Sequence, residues 1–278
     1  MIKILVDSSA DYQMEELKEK QLELIPLPIH LDGQEYIDGV NLERDEFYRL
    51  VAASKDFPTT SQPSPQEFLD IFQTVKKAGD ELICILLSSE LSGTYGCAVL
   101  AKEMADYEGI YLVDSKTATC AIKMLADYAC RLRTEGVTAG EICTRLEELK
   151  GKVKVIAALD TLEYLSRGGR IGKAAAAIGE MANLKPVITL TKEGKVGIVG
   201  KCLGVNKAVN QLIKHLQEKP RNEAFPVYPI YSFGTTNCQR MEERVEKEGI
   251  WLSERLQIGA TIGTHIGPEA FGMVYVEA

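Results

Sequence analysis

The first half of the chain alternates short apolar segments with longer amphipathic ones, and this alternation restricts the fold more than any other feature. The apolar segments are four to seven residues long and span 2–6, 81–87 and 110–113. The segments with helical periodicity span 11–20, 42–54, 66–78, 94–107 and 117–133. Strands that alternate with helices in this way form right-handed βαβ units around a parallel sheet. We therefore predict an N-terminal α/β domain with a parallel, Rossmann-like sheet.

Three segments of the first half interrupt this pattern. Residues 22–30 (LELIPLPIH) are predicted to be extended, with prolines that suit an edge position. Residues 32–41 are polar and are predicted to form turns, and residues 57–68 (FPTTSQPSPQEF) are predicted to form a proline-stiffened loop.

The second half has a different pattern, which predicts a mixed sheet with helices. Residues 185–204 contain two apolar segments joined at 192–195, where a Glu-Gly step suits the tight turn of an antiparallel hairpin. An alanine-rich helix is predicted from Lys173 onward. The remaining predicted helices span 138–150, 205–219 and 236–248, and the remaining strands span 153–159, 227–233 and 272–277. We place a domain boundary at residue 152, which gives an N-terminal α/β domain, 1–152, and a C-terminal α/β domain, 153–278.

Charge and composition exclude several classes of protein. The 278 residues carry a net charge of −8 that is spread along the chain, whereas a nucleic-acid partner would require a basic face. The apolar runs are far shorter than the ~20 residues of a membrane span, and the start, MIKILVDSSAD, predicts a strand and a turn, not a signal peptide. We therefore expect a cytoplasmic protein without a membrane span.

The residues that usually bind metals or form disulfides are sparse. Seven cysteines are scattered without a C-x-x-C pair, and there are only three histidines. This pattern predicts reduced cysteines, no metal site and no cofactor.

Hydroxyl side chains are concentrated where predicted strands end. The junctions are VDSSAD (6–11), LSSELSGTY (87–95) and VDSKTAT (113–119), and the loop at 57–68 adds further hydroxyls. In a parallel sheet these junctions meet at the carboxyl edge, where ligands of open α/β sheets bind. Helix capping needs only one side chain per helix, but residues 88–94 and 59–64 carry four hydroxyls each. The surplus suits an oxyanion, either a phosphate or a carboxylate.

Most enzymatic motifs that could use such an edge are incomplete. Residues 2–9 resemble the nucleophile strand of haloacid-dehalogenase phosphatases but lack its second aspartate. The segment GGRIGK resembles a Walker loop, yet it is too short and has Ala174 at the magnesium-ligating position. No G-x-S-x-G elbow occurs. A serine nucleophile paired in space with His265 remains an alternative.

Two further sites allow both a structural and a functional interpretation. His265 lies between Gly263 and Gly267, so it is either a half-buried structural histidine or a donor to an anionic ligand. Arg167 and Arg170 flank two glycines in SRGGRIG. They are either solvated loop charges or the contacts of a docking or anion-binding loop.

Seven motifs in a fixed order resemble the DegV family along essentially the whole chain. They are the N-terminal DSSAD after an apolar strand, PTTSQPSPQEF, LSSELSGTY, DSKTAT, YLSRGGRIG, LKPVI and THIGPEAFG. The resemblance implies a bacterial cytoplasmic fatty-acid-binding protein with two α/β domains and no catalytic activity of its own. It also implies a partner, the catalytic subunit of fatty acid kinase, which phosphorylates the bound fatty acid to an acyl phosphate for phospholipid metabolism.

The resemblance assigns roles to individual residues. It implies that Thr60 and Ser92 hold the carboxylate of a long-chain fatty acid such as palmitate or stearate, with His265 beside them. Thr59, Ser61 and Ser89 are near alternatives for these hydroxyls, and Arg170, with Arg167 next to it, matches the loop that docks the kinase. One departure is Glu269, which occupies a position often held by glycine.

The leading hypothesis is therefore a fatty-acid carrier that presents its ligand to a kinase and touches a membrane surface at most transiently. Because the two hydroxyl-rich loops contain no Lys or Arg, we expect neutral donors to hold the carboxylate. The second hypothesis is a stand-alone phosphotransferase or hydrolase that acts on a small anion. A lipid-sensing regulator that binds nucleic acid is disfavoured by the acidic balance.

Overall fold

The computed structural model describes residues 1–172 and 183–278. The helix predicted from Lys173 lies outside the described residues. The strands, in chain order, are β1 (Ile2–Asp7), β2 (Leu22–Ile25), β3 (Pro28–Leu31), β4 (Gln34–Ile37), β5 (Thr59–Thr60), β6 (Glu81–Leu86), β7 (Ile110–Asp114), β8 (Val153–Ala158), β9 (Leu184–Leu190), β10 (Val196–Leu203), β11 (Tyr228–Tyr231), β12 (Leu256–Gln257) and β13 (Phe271–Val276).

The described helices follow the predicted pattern in the first half. A 3₁₀ turn, Ser8–Ala10, precedes the first of them. The helices are α1 (Met14–Lys20), α2 (Arg44–Ala53), α3 (Pro65–Ala78), α4 (Thr94–Ala105), α5 (Cys120–Thr134), α6 (Ala139–Lys150), α7 (Glu163–Arg167), α8 (Val205–Gln217), α9 (Thr236–Lys247) and α10 (Ala260–Ile266).

The N-terminal sheet is parallel, as predicted, with strand order β2-β1-β6-β7. Its central strands, β1 and β6, are largely apolar because both of their faces are buried. Ile4 and Ile83 pack in the core cluster that includes α5 and α6, whereas Leu5 and Leu82 pack against α3 and α4. A sheet covered on both faces requires this continuous apolar character. The carboxyl ends of its strands therefore all open toward one edge.

The second sheet is mixed, with strand order β10-β9-β8-β13-β11-β12. The hairpin predicted at 185–204 is present as β9 and β10. One face of this sheet packs against α8 and α9 through side chains such as Ile156 and Met273. The opposite face carries Val155, Ala157 and Ile188 and belongs to the core cluster shared with the parallel sheet. The predicted fold class is confirmed, since the two sheets are separate and each is combined with helices.

A small third sheet was missed by the sequence analysis. Strands β4, β3 and β5 pair antiparallel, although residues 34–37 were predicted as turns and residues 59–60 as loop. The segment predicted to be extended at 22–30 is divided into β2 and β3. Strand β4 carries no buried residue, so it shows no alternation of apolar and polar residues from which it could be recognised.

The chain crosses between the two sheets again near its C-terminus. Helix α10 follows β12 of the mixed sheet and packs against α7, but it also packs against α2, β3 and β5 of the first half. The glycines around it hid this helix from the sequence analysis. The domain boundary at residue 152 stays a prediction, and α10 contacts elements on both sides of it.

Among residues 1–172 and 183–278, no helix is both long and apolar enough to cross a membrane. The same residues contain no cluster of His, Cys, Asp and Glu that could hold a metal ion.

Candidate ligand-binding cavity

A largely apolar cavity lies between the mixed sheet and the carboxyl edge of the parallel sheet. Its lining is mostly apolar and comes from both halves of the chain. The apolar lining residues are Leu27, Leu87, Leu91, Ala118, Val155, Ala157, Leu165, Ile188, Leu190, Val196, Ile230, Ile258, Ile262 and Ile266. Such a lining binds a hydrocarbon group through the hydrophobic effect.

Four of the predicted site residues line this cavity together, and we call them the polar cluster: Thr60, Ser92, Arg170 and His265. Thr60 ends β5, Ser92 lies just before α4, Arg170 follows α7, and His265 lies in α10. The Thr60 Oγ1 and His265 Nε2 atoms are 2.9 Å apart. The Arg170 Nε atom donates to the Leu91 carbonyl at 3.1 Å, next to Ser92. Segments that are far apart in the sequence therefore converge on one site.

Direct packing between two loops brings Thr60 and Ser92 together. The Gln62 carboxamide covers Gly93 so closely that a Cβ atom at position 93 would lie 2.0 Å from Gln62 Oε1. Its Nε2 atom donates to Cys97 Sγ in α4 at 3.2 Å. The motifs T-S-Q and S-G-T thus depend on each other, because glycine makes room for the glutamine.

His265 is uncharged near neutral pH. Burial, reinforced by the positive charge of Arg170, lowers its pKa to about 4. Its Nδ1 atom is buried and has no hydrogen-bond partner among the described residues. A buried N–H without a partner is more costly than a bare lone pair, so we assign the proton to Nε2. The Nε2–H group then donates to Thr60 Oγ1, and the Thr60 hydroxyl is left free to donate to a ligand.

Ser92 has a local partner that leaves one hydrogen bond open. Its Oγ atom lies 2.9 Å from Thr94 Oγ1 and accepts from the Thr94 backbone N–H at 3.3 Å. When the Thr94 hydroxyl donates, the Ser92 hydroxyl proton is available to a ligand in the cavity.

Besides the neutral donors that are expected to hold a carboxylate, the cavity has a charged lining residue, Arg170. It lines the cavity, although it lies in neither of the two hydroxyl-rich loops. Its guanidinium group donates to the carbonyls of Leu91 and Gly168. The polar cluster therefore includes a cation that is already engaged by backbone acceptors.

The other predicted site residues do not line the cavity. Thr59, Ser61 and Ser89 are exposed, and the Oγ atoms of Ser61 and Ser89 bond to His30 and Lys116. Arg167 is also exposed; it pairs with Glu163 at 2.8 Å and lies 4.1 Å from the centre of the Phe57 ring. Glu269 is exposed, with a φ of +64°.

The hydroxyl-rich junction VDSSAD positions α10 instead of lining the cavity. Ser8 Oγ lies 3.0 Å from Thr261 Oγ1, and Asp11 accepts from the Gly259 backbone N–H at 2.8 Å. Asp38, which the sequence analysis did not single out, accepts from the Thr261 backbone N–H at 3.0 Å. Burial raises the pKa of Asp11 to about 7. These contacts hold the helix that carries His265.

The apolar lining was also missed, although part of it had a recognisable pattern. Ile262 and Ile266 are spaced four residues apart in α10, which places them on one helical face, and Ile258 lies just before the helix. The remaining lining residues are distributed over strands, loops and α7, so no periodic pattern in the sequence marks them as cavity residues.

The serine–histidine pair suggested for His265 is not formed. His265 Nε2 bonds to Thr60, and Ser92 Oγ bonds to Thr94. Neither contact places a base next to the serine hydroxyl, as nucleophilic catalysis requires.

The fold and the cavity define an α/β protein whose apolar interior is joined to a small polar cluster, a site suited to an amphipathic ligand. The chain belongs to the DegV family: the sequence profile described as "Uncharacterised protein, DegV family" matches residues 1–278.

Known relatives are similar over almost their whole length. A DegV domain-containing protein of Caldanaerobacter subterraneus is 34% identical, with 99% of each chain covered. A solved structure described as fatty acid binding of a DegV family protein from Thermus thermophilus is 30% identical, with a TM-score of 0.89 and coverage of 100% of this chain and 99% of that one. A stearic acid-binding protein from Eubacterium ventriosum is also 30% identical, with a TM-score of 0.89 and coverage of 100% and 98%.

Proposed function

We propose that this protein binds a long-chain fatty acid, such as palmitate or stearate, with the acyl chain in the cavity and the carboxylate at the polar cluster. The observation that carries the proposal is that one cavity has both an apolar lining and the polar cluster of Thr60, Ser92, Arg170 and His265. The relatives described as fatty-acid-binding proteins support it.

The energetics of such binding are dominated by the acyl chain. A sixteen-carbon chain buries about fourteen methylene groups, which at ~0.8 kcal/mol each give about 11 kcal/mol before costs. Ordering the chain and losing rigid-body freedom cancel several kcal/mol of this. The apolar lining therefore sets the affinity, and the polar cluster selects the head group and fixes its orientation.

The carboxylate would accept hydrogen bonds from the Thr60 and Ser92 hydroxyls. His265 acts through Thr60, because its Nε2–H group donates to Thr60 Oγ1 at 2.9 Å and turns the threonine proton toward the ligand. Arg170 adds a nearby positive charge. Each hydrogen bond to the charged head group contributes about 1.5–3 kcal/mol.

The binding proposal is tested by extracting lipid from the purified protein and identifying it by mass spectrometry. We expect a long-chain fatty acid in near-equal molar amount. Ser92→Ala and Thr60→Val should each weaken fatty-acid binding about tenfold, as expected for the loss of one hydrogen bond to a charged group. Ser89→Ala and Thr59→Val are matched controls from the same loops and should leave it unchanged. Equal retention in all four variants would exclude this site.

We further propose that the protein acts in the cytoplasm, without catalysis of its own, as the subunit that presents fatty acid to a fatty acid kinase. The resemblance of SRGGRIG to the kinase-docking loop supports this role, and so does the exposed position of Arg167. Arg167→Ala should abolish acyl-phosphate formation by the kinase catalytic subunit and ATP while fatty acid stays bound. Turnover of a small anionic substrate without any partner would instead support a stand-alone phosphotransferase or hydrolase.

A further inference from the structure

A second pocket, which we call the basic pocket, lies beside the cavity. It is formed by the loop after β7, the end of α6, the start of β8 and the turn between β9 and β10. Its lining residues are Lys116, Thr117, Glu147, Lys150, Gly151, Val153, Lys154, Leu190, Thr191 and Lys192. None of the polar cluster lines it, so it is a separate site.

The charge of this pocket is opposite to that of the protein. Four lysines and one glutamate line it, whereas the whole chain has a net charge of −8. Two of the lysines are paired: Lys116 Nζ lies 2.7 Å from Asp114 and Lys150 Nζ lies 2.6 Å from Glu147. The pocket nevertheless keeps an excess of positive charge.

The other two lysines are less closely paired than Lys116 and Lys150. Lys154 Nζ donates to the Gly151 carbonyl at 2.7 Å, but its carboxylate neighbour Glu277 is 3.7 Å away. Lys192 makes no hydrogen bond or ion pair within the described residues. Burial lowers the pKa of Lys154, and the ammonium groups of Lys219 and Lys192 lower it further against the opposing effect of Glu277. An anion placed between these groups would relieve their repulsion.

A buried hydroxyl in the same wall also lacks a partner. Thr117 is only 3% exposed, and its Oγ1 atom is covered and has no hydrogen-bond partner among the described residues. Buried hydroxyls are normally satisfied. Rotation about the Cα–Cβ bond of Thr117 would let this hydroxyl donate to an oxyanion in the pocket.

We propose that the basic pocket is an anion-binding site for a phosphate group, held by Lys154, Lys192 and Thr117. A phosphate has several acceptor oxygens, so it can accept from two ammonium groups and a hydroxyl at once. The phosphate group belongs either to a soluble phosphate ester or to a lipid head group. This site is independent of the fatty-acid proposal, although Leu190 lines both cavities.

The test begins with calorimetric titration of the full-length protein with inorganic phosphate and with glycerol phosphate at constant ionic strength. We expect saturable binding that Lys192→Gln, Lys154→Gln and Thr117→Val each weaken about tenfold, since each removes one hydrogen bond to a charged ligand. Lys207→Gln, an exposed lysine in α8, is the charge-matched control. Fatty-acid retention, measured in parallel, should be unchanged in every variant.

Sedimentation with phosphatidylglycerol vesicles, compared with phosphatidylcholine vesicles, distinguishes the two sources of phosphate. Binding to phosphatidylglycerol that is lost in Lys192→Gln would identify a lipid head group. Binding of the free phosphates alone would identify a soluble ligand. The proposal is overturned if neither probe binds saturably, or if Lys207→Gln weakens binding as much as Lys192→Gln does.

Discussion

The contact between His265 and Gly168 controls the orientation of the imidazole ring. A Cβ atom at position 168 would lie 2.4 Å from His265 Nδ1, well inside van der Waals contact. Because the other ring nitrogen bonds to Thr60, any shift of the ring changes the direction of the threonine hydroxyl. The φ of Gly168 is −70°, which suits any residue. Glycine is therefore required here because it allows the close approach of His265, and not because of its backbone conformation.

We expect Gly168→Ala to weaken fatty-acid binding about tenfold, the loss of roughly one charge-assisted hydrogen bond. Fatty-acid titration of delipidated protein measures this. Gly140→Ala is the control, since Gly140 lies in a helix with open space around its Cβ position. An affinity equal to that of Gly140→Ala would show that the ring does not act through Thr60.

The lowered pKa of His265 predicts a pH dependence of stability. The folded pKa is about 4 and the ordinary value is 6.5, so the unfolded chain takes up the proton first. The contribution of neutral His265 to the free energy of unfolding is complete above pH 6.5 and is lost as the pH falls toward 4. Compared with His265→Gln, the wild-type protein should lose up to about 3 kcal/mol of unfolding free energy over this range. Urea unfolding at several pH values measures it, and parallel curves for the two proteins would contradict the buried, neutral assignment.

At the residue scale, the surplus of hydroxyls indicated two loops that contribute to the cavity, but only the family resemblance singled out Thr60 and Ser92 within them. An excess of hydroxyls over the needs of helix capping indicated residues 59–64 and 88–94. Choosing Thr60 over Thr59 requires the pairing of β5 with β3, in which the two threonines face opposite sides. That pairing is a tertiary contact with strand β3, so the local sequence does not contain it.

At the scale of elements, the β9–β10 hairpin closes the cavity by docking its turn on the parallel sheet. Ser88 Oγ donates to the Gly194 carbonyl at 2.9 Å, and Lys195 Nζ lies 3.4 Å from Glu90. Leu190 and Val196, on either side of the turn, line the cavity. The sequence predicted the hairpin from its turn residues, but the surface on which the turn docks is formed by residues about a hundred positions away.

Gly194→Ala should undock this turn. Gly194 has a φ of +90°, and a Cβ atom there would lie 2.1 Å from Ser88 Oγ and 3.1 Å from Lys116 Cα. We expect a loss of about 2–3 kcal/mol of unfolding free energy and faster exchange of bound fatty acid. Gly136→Ala is the control, because Gly136 has a φ of +79° with nothing near its Cβ position. Equal losses in the two variants would show that backbone strain alone, and not docking, is responsible.

At the scale of the whole molecule, the cavity exists because two differently built sheets meet, and a few polar residues hold them together. Arg44 in α2 donates to the carbonyl of Gln257 at 2.8 Å and to that of Asp11 at 2.7 Å. It thereby links the N-terminal elements to the segment that leads into α10. This link cannot be predicted from local sequence, because Arg44 and Gln257 lie far apart along the chain.

Replacing Arg44 tests whether this link holds the cavity closed. Arg44→Met keeps much of the side-chain volume but leaves these carbonyls without their donor, and it removes the positive charge that lowers the pKa of Asp11. We expect a loss of about 2–4 kcal/mol in urea unfolding, together with faster release of fatty acid, because α10 carries His265. Arg49→Met, at an exposed position of the same helix, should change stability by less than about 0.5 kcal/mol. If a destabilised Arg44→Met protein released fatty acid at the normal rate, the link made by Arg44 would not control ligand retention. The hairpin turn would then be the element that closes the cavity.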